Sequence, residues 1–208
     1  MIPPFVSSQV TQGRYLFSPF KDNSSPPPLR ILCAGFEECS PDYEIHREGF
    51  HCAAVEIIAG GEWELVSKYG KWRLHAGMIF TYGPGVDYSL SGRSRHGLLK
   101  YFVDFEGEEA LQVLRRANLK PGVPARLAHP RWSQDLIEQL IDTARMQYRQ
   151  REIMGRMLAE LLIARLRTDR HIGGKRIPAS FQSFERCREY LAAHYLKIHD
   201  FALAARFC

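Results

Sequence analysis

Residues 98–105 read LLKYFVDF, a short apolar run whose length is typical of a β-strand. Comparable runs precede it at Leu29–Phe36, Cys52–Ile58 and Met78–Tyr82. Turn signals separate these runs at Gly60-Gly61, Gly83-Pro84-Gly85 and Ser91-Gly92. Many short strands joined by Gly and Pro turns indicate a β-sandwich or a β-barrel.

Downstream of these runs the apolar spacing changes to steps of three and four residues, which is typical of amphipathic helices. A short helix is predicted between Glu108 and Asn118. Two antiparallel helices are predicted within Arg131–Arg170, and the polar segment Gln147–Arg151 is predicted to separate them. The segment that follows, His171–Ser180, has the composition of a linker.

The C-terminal part of the chain holds another helical pattern. Residues 184–195 (FERCREYLAAHY) read as an amphipathic helix, and Asp200 is placed to cap a further helix over Phe201–Cys208. Residues 1–130 carry 14 Lys+Arg and 14 Asp+Glu, whereas residues 131–208 carry 14 and 9. This asymmetry is expected of a segment that lies near nucleic acid, although a solvated arginine-rich helix has the same composition.

The cysteine pattern and the hydropathy bear on the compartment of the protein. The chain has 5 cysteines, none of them in a CxxC pair, which favours reduced thiols over a disulfide framework. We find no run of about 18 apolar residues and no apolar signal-peptide core in Met1–Phe20. The sequence therefore predicts a cytoplasmic protein without a membrane partner.

Several motifs of the β region occur in a specific order. Arg47 precedes the predicted strand Phe50–Ile58, and a shorter strand, Trp63–Val66, follows it. Residues 72–88 then hold two turns, Ala76-Gly77-Met78 and Gly83-Pro84-Gly85, before the aromatic run that ends at Phe105. This order resembles the effector-binding cupin of AraC/XylS-type transcription regulators, and residues 184–208 resemble the start of their helix-turn-helix domain. The chain departs from that family at Met78, where aspartate is usual, and at Tyr88, where histidine is usual.

The resemblance covers roughly residues 30–208 and implies a mainly β fold with C-terminal helices. It implies a cupin-like (jelly-roll) effector-binding domain over 1–130 and a helical dimerisation segment over 131–170. A linker over 171–182 and an incomplete helix-turn-helix domain over 183–208 would follow. Such a chain is the ligand-sensing part of a DNA-binding regulator. Because a helix-turn-helix reads DNA with its second helix, which this chain would lack, we expect no sequence-specific DNA binding.

The resemblance also implies a site for a small molecule, most plausibly a sugar or a sugar acid, inside the barrel. The positions carried over from the family are Arg47, Tyr88, Lys100 and Phe102, and Glu56 and Tyr82 are weaker additions. Arg47 would be the anchoring donor, since a guanidinium offers a two-pronged fork to hydroxyls or a carboxylate. Other roles remain open: Phe102 as core, Lys100 reaching solvent, and Arg47 paired with Glu44, Glu48 or Glu56.

The helical segment is expected to make a homodimer through an apolar stripe. Two stripes qualify: one contains Met157, Leu161 and Arg165, and the other contains Leu158, Leu162 and Leu166. The alternative is that both stripes pack on the barrel of the same chain.

A metal or catalytic role has weaker support in the sequence. The His-x-His pair of metal-binding cupins is missing, and His46 and His51 would lie on opposite faces of one extended strand. No cofactor is implied. The alternative function is a stand-alone, metal-free cupin enzyme, an isomerase or epimerase acting on a sugar, because Tyr, Lys and Glu can do acid–base chemistry.

Overall fold

The computed structural model describes residues 7–18, 28–93 and 98–169, together with the isolated helical positions Ser183, Cys187 and Leu191. The predicted linker and all but three positions of the predicted helix-turn-helix start lie outside the described residues. The strands are β1 (Val10–Phe17), β2 (Arg30–Cys39), β3 (Glu44–Arg47), β4 (Ala53–Gly60), β5 (Trp63–Ser67), β6 (Gly70–Leu74), β7 (Met78–Tyr82), β8 (Tyr88–Gly92), β9 (Leu98–Glu106) and β10 (Ala125–Arg126). The helices are α1 (Ala110–Arg116), α2 (Pro130–Asp142) and α3 (Tyr148–Thr168).

Two antiparallel sheets are built from the strands of the described ranges. A six-stranded sheet has the order β1-β2-β9-β4-β7-β10, and a four-stranded sheet has the order β3-β8-β5-β6. Neighbours in the larger sheet are mostly distant in sequence, as in a jelly roll and not in a simple meander. The predicted fold class, a cupin-like barrel followed by helices, is confirmed.

The larger sheet buries both of its faces. Along β9, Tyr101, Val103 and Phe105 face a core shared with the helices, where Leu140 and Leu162 are fully buried. The opposite face meets the smaller sheet and encloses a second core that includes Ala54, Ile58, Trp63, Phe80, Tyr88 and Leu98. We call this second side the inner face, since it lines the space between the two sheets.

The helical segment agrees with the prediction in number of helices and differs in detail. Helix α3 begins at Tyr148, so the predicted separator Gln147–Arg151 belongs mostly to the helix, and the connection is a short 3-10 turn, Thr143–Arg145. Within the described residues, none of the helices is both long and apolar enough to cross a membrane. The chain divides into two compact units, Met1–His171 and Ile172–Cys208.

Of the two stripes predicted for dimerisation, one is used within the chain. Leu158 and Leu162 are 6% and 0% exposed and belong to the core between the sheet and the helices. They therefore pack within their own chain, because α3 needs one apolar side to pack on α2, α1 and β2, and we correct their assignment to a dimer surface. Met157 and Leu161, in contrast, are 63% and 47% exposed.

The segment around Arg47 also differs from the prediction. Arg47 ends the short strand β3, and β4 begins only at Ala53. Gly49 between them has a φ of +61°, the left-handed conformation that glycine adopts without strain. The argument that His46 and His51 lie on opposite faces of one strand is therefore wrong, since a turn separates them.

Candidate ligand-binding site

Polar side chains of three neighbouring strands lie together on the inner face. Glu37 on β2 is directly opposite Lys100 on β9. Glu56 on β4 is opposite Phe102, two residues further along β9. Because alternate residues share a face, Glu56 has Lys100 on one diagonal and Asp104 on the other. Diagonal neighbours lie within reach of long side chains.

Lys100 is buried between two carboxylates. Its side-chain nitrogen Nζ lies 2.9 Å from Oε2 of Glu37 and 3.3 Å from Oε2 of Glu56, and the residue is 5% exposed. Burial alone would lower the pKa of this amine, but Glu37 and Glu56 outweigh burial and raise the pKa well above its ordinary value. The lysine is thus charged and locked in place, because neither partner could leave without stranding a buried charge.

Two tyrosines extend the polar surface towards the smaller sheet. The Tyr82 hydroxyl donates a hydrogen bond to Oε1 of Glu56 at 3.0 Å, and the ring of Tyr88 lies 4.4 Å from that of Tyr82, centre to centre. Burial raises the pKa of both phenols well above the ordinary value, and Glu56 adds to the effect. Both hydroxyls therefore stay protonated and can act as hydrogen-bond donors.

Asp104 lies on the same face and takes part in no ion pair among the described residues. Burial raises its pKa to about 7, and the negative charge of Glu56 contributes next. Its Oδ1 atom is buried and has no hydrogen-bond partner among the described residues. The Tyr88 hydroxyl and Oε2 of Glu56 are also buried without a hydrogen-bond partner among the described residues. Oε2 of Glu56 lies 3.3 Å from Nζ of Lys100, but the two atoms do not have hydrogen-bond geometry. We call Glu37, Glu56, Tyr82, Tyr88, Lys100 and Asp104 the inner cluster.

Arg47 lies at the rim of the inner cluster. It is exposed, and in the smaller sheet it is paired with Tyr88. Its guanidinium lies 5.7 Å from the centre of the Phe50 ring, which in turn packs edge-on against Tyr82. Partial desolvation would lower the pKa of Arg47, but the nearby Tyr88, Tyr82 and Glu56 raise it.

The ion pairs proposed as an alternative role for Arg47 are not formed by the described residues. Glu48 pairs with His46 at 2.9 Å and Glu56 pairs with Lys100. Among the described residues no hydrogen bond or ion pair engages the guanidinium of Arg47, so its donors are available to an incoming polar molecule.

Phe102 is partly exposed and lies between the lysine and the edge of the inner face. Lys100 Nζ lies 5.1 Å from the centre of the Phe102 ring, a distance at which a cation and an aromatic ring attract. The ring lies over Gly35, where a Cβ atom would approach to 2.6 Å from the ring. Glycine at this position therefore leaves the space that Phe102 fills.

The structure brings the predicted site residues into one region. Glu56, Tyr82, Tyr88, Lys100 and Phe102 line the inner face, and Arg47 stands at their rim; their role in ligand binding stays a prediction. The sequence reasoning missed Glu37 and Asp104. Asp104 follows Lys100 and Phe102 at the same two-residue step, so strand alternation was a signal for it. Glu37 lay one residue beyond the predicted end of its strand.

Within the described ranges, no group of three or more His, Cys, Asp or Glu residues is arranged to hold a metal ion. The chemistry that the inner cluster can offer is hydrogen bonding, charge pairing and, through Asp104, proton exchange.

The chain is similar in part to several solved structures. YhaK from Escherichia coli has 18% identity and a TM-score of 0.38, over 48% of this chain and 46% of that one. The plu4264 protein from Photorhabdus luminescens has 12% identity and a TM-score of 0.39, over 54% and 88%. The AraC-like transcriptional activator CuxR has 11% identity and a TM-score of 0.49, over 86% and 65%.

The chain spans less than two thirds of the length of YhaK and of CuxR. A search of curated proteins gave no match. The family described as AraC-like ligand binding domain matches residues 31–166, from β2 to the end of α3. By this match over more than half of its length, the chain belongs to the AraC-like ligand-binding domain family.

Proposed function

We propose that this chain is the ligand-sensing part of a DNA-binding transcription regulator. The observation that carries the proposal is the family match over residues 31–166, which spans the inner cluster and the helices. A fold that served only as a scaffold would gain from an apolar interior. Here the interior instead holds buried polar atoms without partners in the described chain, which is costly unless a ligand or an ordered water satisfies them.

The ligand we propose is a small polar effector, a sugar or sugar acid, held by Arg47, Glu56, Tyr82, Tyr88, Lys100 and Phe102. Sugars combine hydroxyls with apolar ring faces, so they suit a site with few polar groups among aromatic rings. Tyr82 and Tyr88 supply such rings, and Arg47 supplies donors at the rim.

The output we propose is a change in dimer geometry. Residues 131–170 would form the dimer through the exposed residues Met157, Leu161 and Arg165, residues 171–182 would be the linker, and residues 183–208 would begin the helix-turn-helix domain. Ligand binding shifts the population of conformations, and with it the way two DNA-binding domains are presented.

The ligand part of the proposal is tested by calorimetry with a panel of sugars on the parent and on Arg47→Ala. Loss of a charged hydrogen-bond partner should weaken binding by about ten- to a hundredfold. Arg73→Ala is the matched control, because Arg73 is an exposed arginine of β6. Equal affinity of the Arg47→Ala variant and the parent would show that the site lies elsewhere.

The regulatory part is tested with the complete gene product and its upstream DNA. An effector that binds the barrel should change promoter occupancy in a footprint and expression from a reporter. Promoter occupancy and reporter expression that do not change when an effector is bound would contradict the proposal.

The second candidate function is a metal-free enzyme acting on a sugar. The observation that favours it is Asp104, whose pKa of about 7 suits general acid–base catalysis beside the tyrosines. Proton NMR of the bound ligand discriminates between the two functions. An enzyme converts the ligand into an isomer or epimer over hours, whereas a sensor returns it unchanged.

A further inference from the structure

The acceptor atoms without partners are concentrated on the inner face. Oε2 of Glu56, Oδ1 of Asp104 and the hydroxyl of Tyr88 are all buried and lack hydrogen bonds within the described chain. Glu56 is 3% exposed and Tyr88 is 2% exposed, so bulk water does not satisfy these atoms. The side chains of Glu56 and Asp104 lie on one diagonal of adjacent strands, and Tyr88 of the smaller sheet belongs to the core on the same inner face. Glu56 lies close enough to both Asp104 and Tyr88 for its charge to raise the pKa of each.

The charges of the inner cluster do not balance. Its carboxylates are Glu37, Glu56 and Asp104, and its one ammonium group is Lys100. Lys100 already pairs with Glu37 and with Glu56. No ion pair within the described residues includes Asp104, so its charge is the one left without a partner. Asp104 is half-buried, and its buried Oδ1 atom gains from a cation that can bind and leave.

We propose that the effector carries a cationic amino group and that Asp104, Glu56 and Tyr88 bind this group on the inner face. This inference rests on the proposed function and names the chemical class of its ligand: an amino sugar or an amine with a similar number of hydroxyls.

An ammonium group fits this set of atoms better than the alternatives. It offers three N–H donors and no acceptor, and each of the three buried oxygens without a hydrogen bond can accept one. A neutral hydroxyl offers one donor and leaves the charge of Asp104 uncompensated. A carboxylate, as in a sugar acid, would add a further negative charge beside Glu56 and Asp104, which like-charge repulsion opposes.

The aromatic surroundings favour the same class. The rings of Tyr82, Tyr88 and Phe80 form a continuous cluster, with centre-to-centre distances of 4.4 Å for Tyr82–Tyr88 and 5.6 Å for Phe80–Tyr88. The faces of such rings attract cations, and the attraction grows when water is excluded. Lys100 shows the same contact with Phe102 inside this chain.

The experiment uses sets of probes that share a carbon frame and differ in one group. Glucosamine, glucose and glucuronate form one set, and galactosamine, galactose and galacturonate form another. Thermal shift and calorimetry on the full chain should rank the amine first in at least one set. A neutral or acidic member that binds as tightly as its amine counterpart would overturn the inference, and so would failure of every amine to bind.

Variants locate the amino group. Asp104→Asn keeps the shape of the side chain and removes the charge, so amine affinity should fall about ten- to a hundredfold. Tyr88→Phe removes only the hydroxyl and should cost several-fold. Asp135→Asn, an exposed carboxylate on α2, is the control and should bind like the parent. Unchanged amine affinity in folded Asp104→Asn would sink the assignment.

Release of a proton from Asp104 on ligand binding can be measured, and it would not occur if Asp104 had only a structural role. At about pH 6.5 Asp104 is mostly protonated, so a bound ammonium group displaces a proton. The calorimetric heat should then depend on the ionisation enthalpy of the buffer, and the dependence should vanish in Asp104→Asn. The charged groups that act on Asp104 are Glu56, Lys100, Arg47 and Glu37. No buffer dependence in the parent would contradict the inference.

Failure of this inference is distinguishable from failure of the proposed function. A neutral sugar could bind the parent as tightly as its amine counterpart and bind Arg47→Ala more weakly. That result would be consistent with the sensor proposal and would contradict the proposal that the effector carries an amino group. If no member of the panel binds, the amino group is rejected, and the reporter experiment with the complete gene decides on the sensor.

Discussion

Gly35 shows how closely single residues determine the inner face. It lies on β2 directly opposite Phe102. A Cβ atom there would fall 2.6 Å from the Phe102 ring and 2.8 Å from the ring of Tyr15. Both rings would have to move, and Tyr15 also donates a hydrogen bond to Glu37, the partner of Lys100. Gly155 on α3 is the opposite case, since its nearest neighbour, Ile31, would be 3.9 Å away.

We therefore expect Gly35→Ala to lower the free energy of unfolding by about 1–3 kcal/mol, because overpacking forces side chains off their rotamers. Gly155→Ala is the control and should raise the free energy of unfolding by up to about 1 kcal/mol, because alanine is the better helix former. Urea unfolding measures both changes. A Gly35→Ala variant as stable as the parent would show that Phe102 and Tyr15 relax at no cost.

At the scale of residues, strand alternation predicted part of the site. Lys100 and Phe102 were expected to share a face, and the register of β9 with its neighbours is consistent with this. The partners of Lys100 could not be predicted from the sequence. They come from strands that are distant along the chain, and a pattern within one strand does not say which strand lies beside it.

At the scale of elements, α3 has two apolar sides with different surroundings. Leu158 and Leu162 pack inside the chain, whereas Met157 and Leu161 are exposed. Next to the exposed side, the guanidinium of Arg165 lies 4.5 Å from the centre of the Trp132 ring, which is itself 45% exposed. Contiguous exposed apolar surface is typical of an interaction site.

We expect the double change Met157→Glu with Leu161→Glu to convert a dimer into a monomer without loss of the fold. Two carboxylates on an isologous contact are repeated by symmetry and would repel one another. Light scattering gives the mass, and circular dichroism checks the fold. Leu111→Glu on α1 is the control, since Leu111 is also exposed, at 42%. A folded double variant that keeps the mass of the parent would reject this surface.

The predictability of the elements depended on their composition. Met78–Tyr82 was predicted to the residue, because turns bound an apolar run on both sides. The strand Glu44–Arg47 was missed, since four mostly polar residues carry no alternation that can be read. Helical periodicity predicted both apolar stripes of α3. It could not predict which of the two stripes is buried within the chain.

At the scale of the whole molecule, the barrel and the helices α1 to α3 lie within the unit Met1–His171. Hydrogen bonds connect the end of α3 to the rest of this unit. The Asp169 carbonyl accepts a hydrogen bond from the backbone N–H of Ala128 at 2.7 Å, and its carboxylate accepts one from the backbone N–H of His129 at 3.0 Å. The order of motifs along the chain was sufficient to predict this architecture, whereas the chemical identity of the effector depends on side-chain geometry.

We expect a chain shortened to residues 1–171 to keep the melting temperature of the parent within about 2 °C, and to keep its affinity for effector. The reason is that the cut preserves Asp169 and its hydrogen bonds. Differential scanning calorimetry and ligand titration measure the two quantities. A second truncation after Thr168 removes Asp169 and should lower the melting temperature. A 1–171 chain that fails to fold would show that residues 172–208 belong to the same folding unit.

Lys100 forms its ion pairs with Glu37 and Glu56 and not with Asp104. This has a consequence for how such a protein could evolve. The codons of aspartate and asparagine differ in their first base alone, so one point mutation removes the charge of Asp104. Lys100 would keep both of its carboxylate partners, because neither of them is Asp104. Where the effector is an amine, as we propose, selection could therefore move the protein to an uncharged effector in one step, without unstable intermediates.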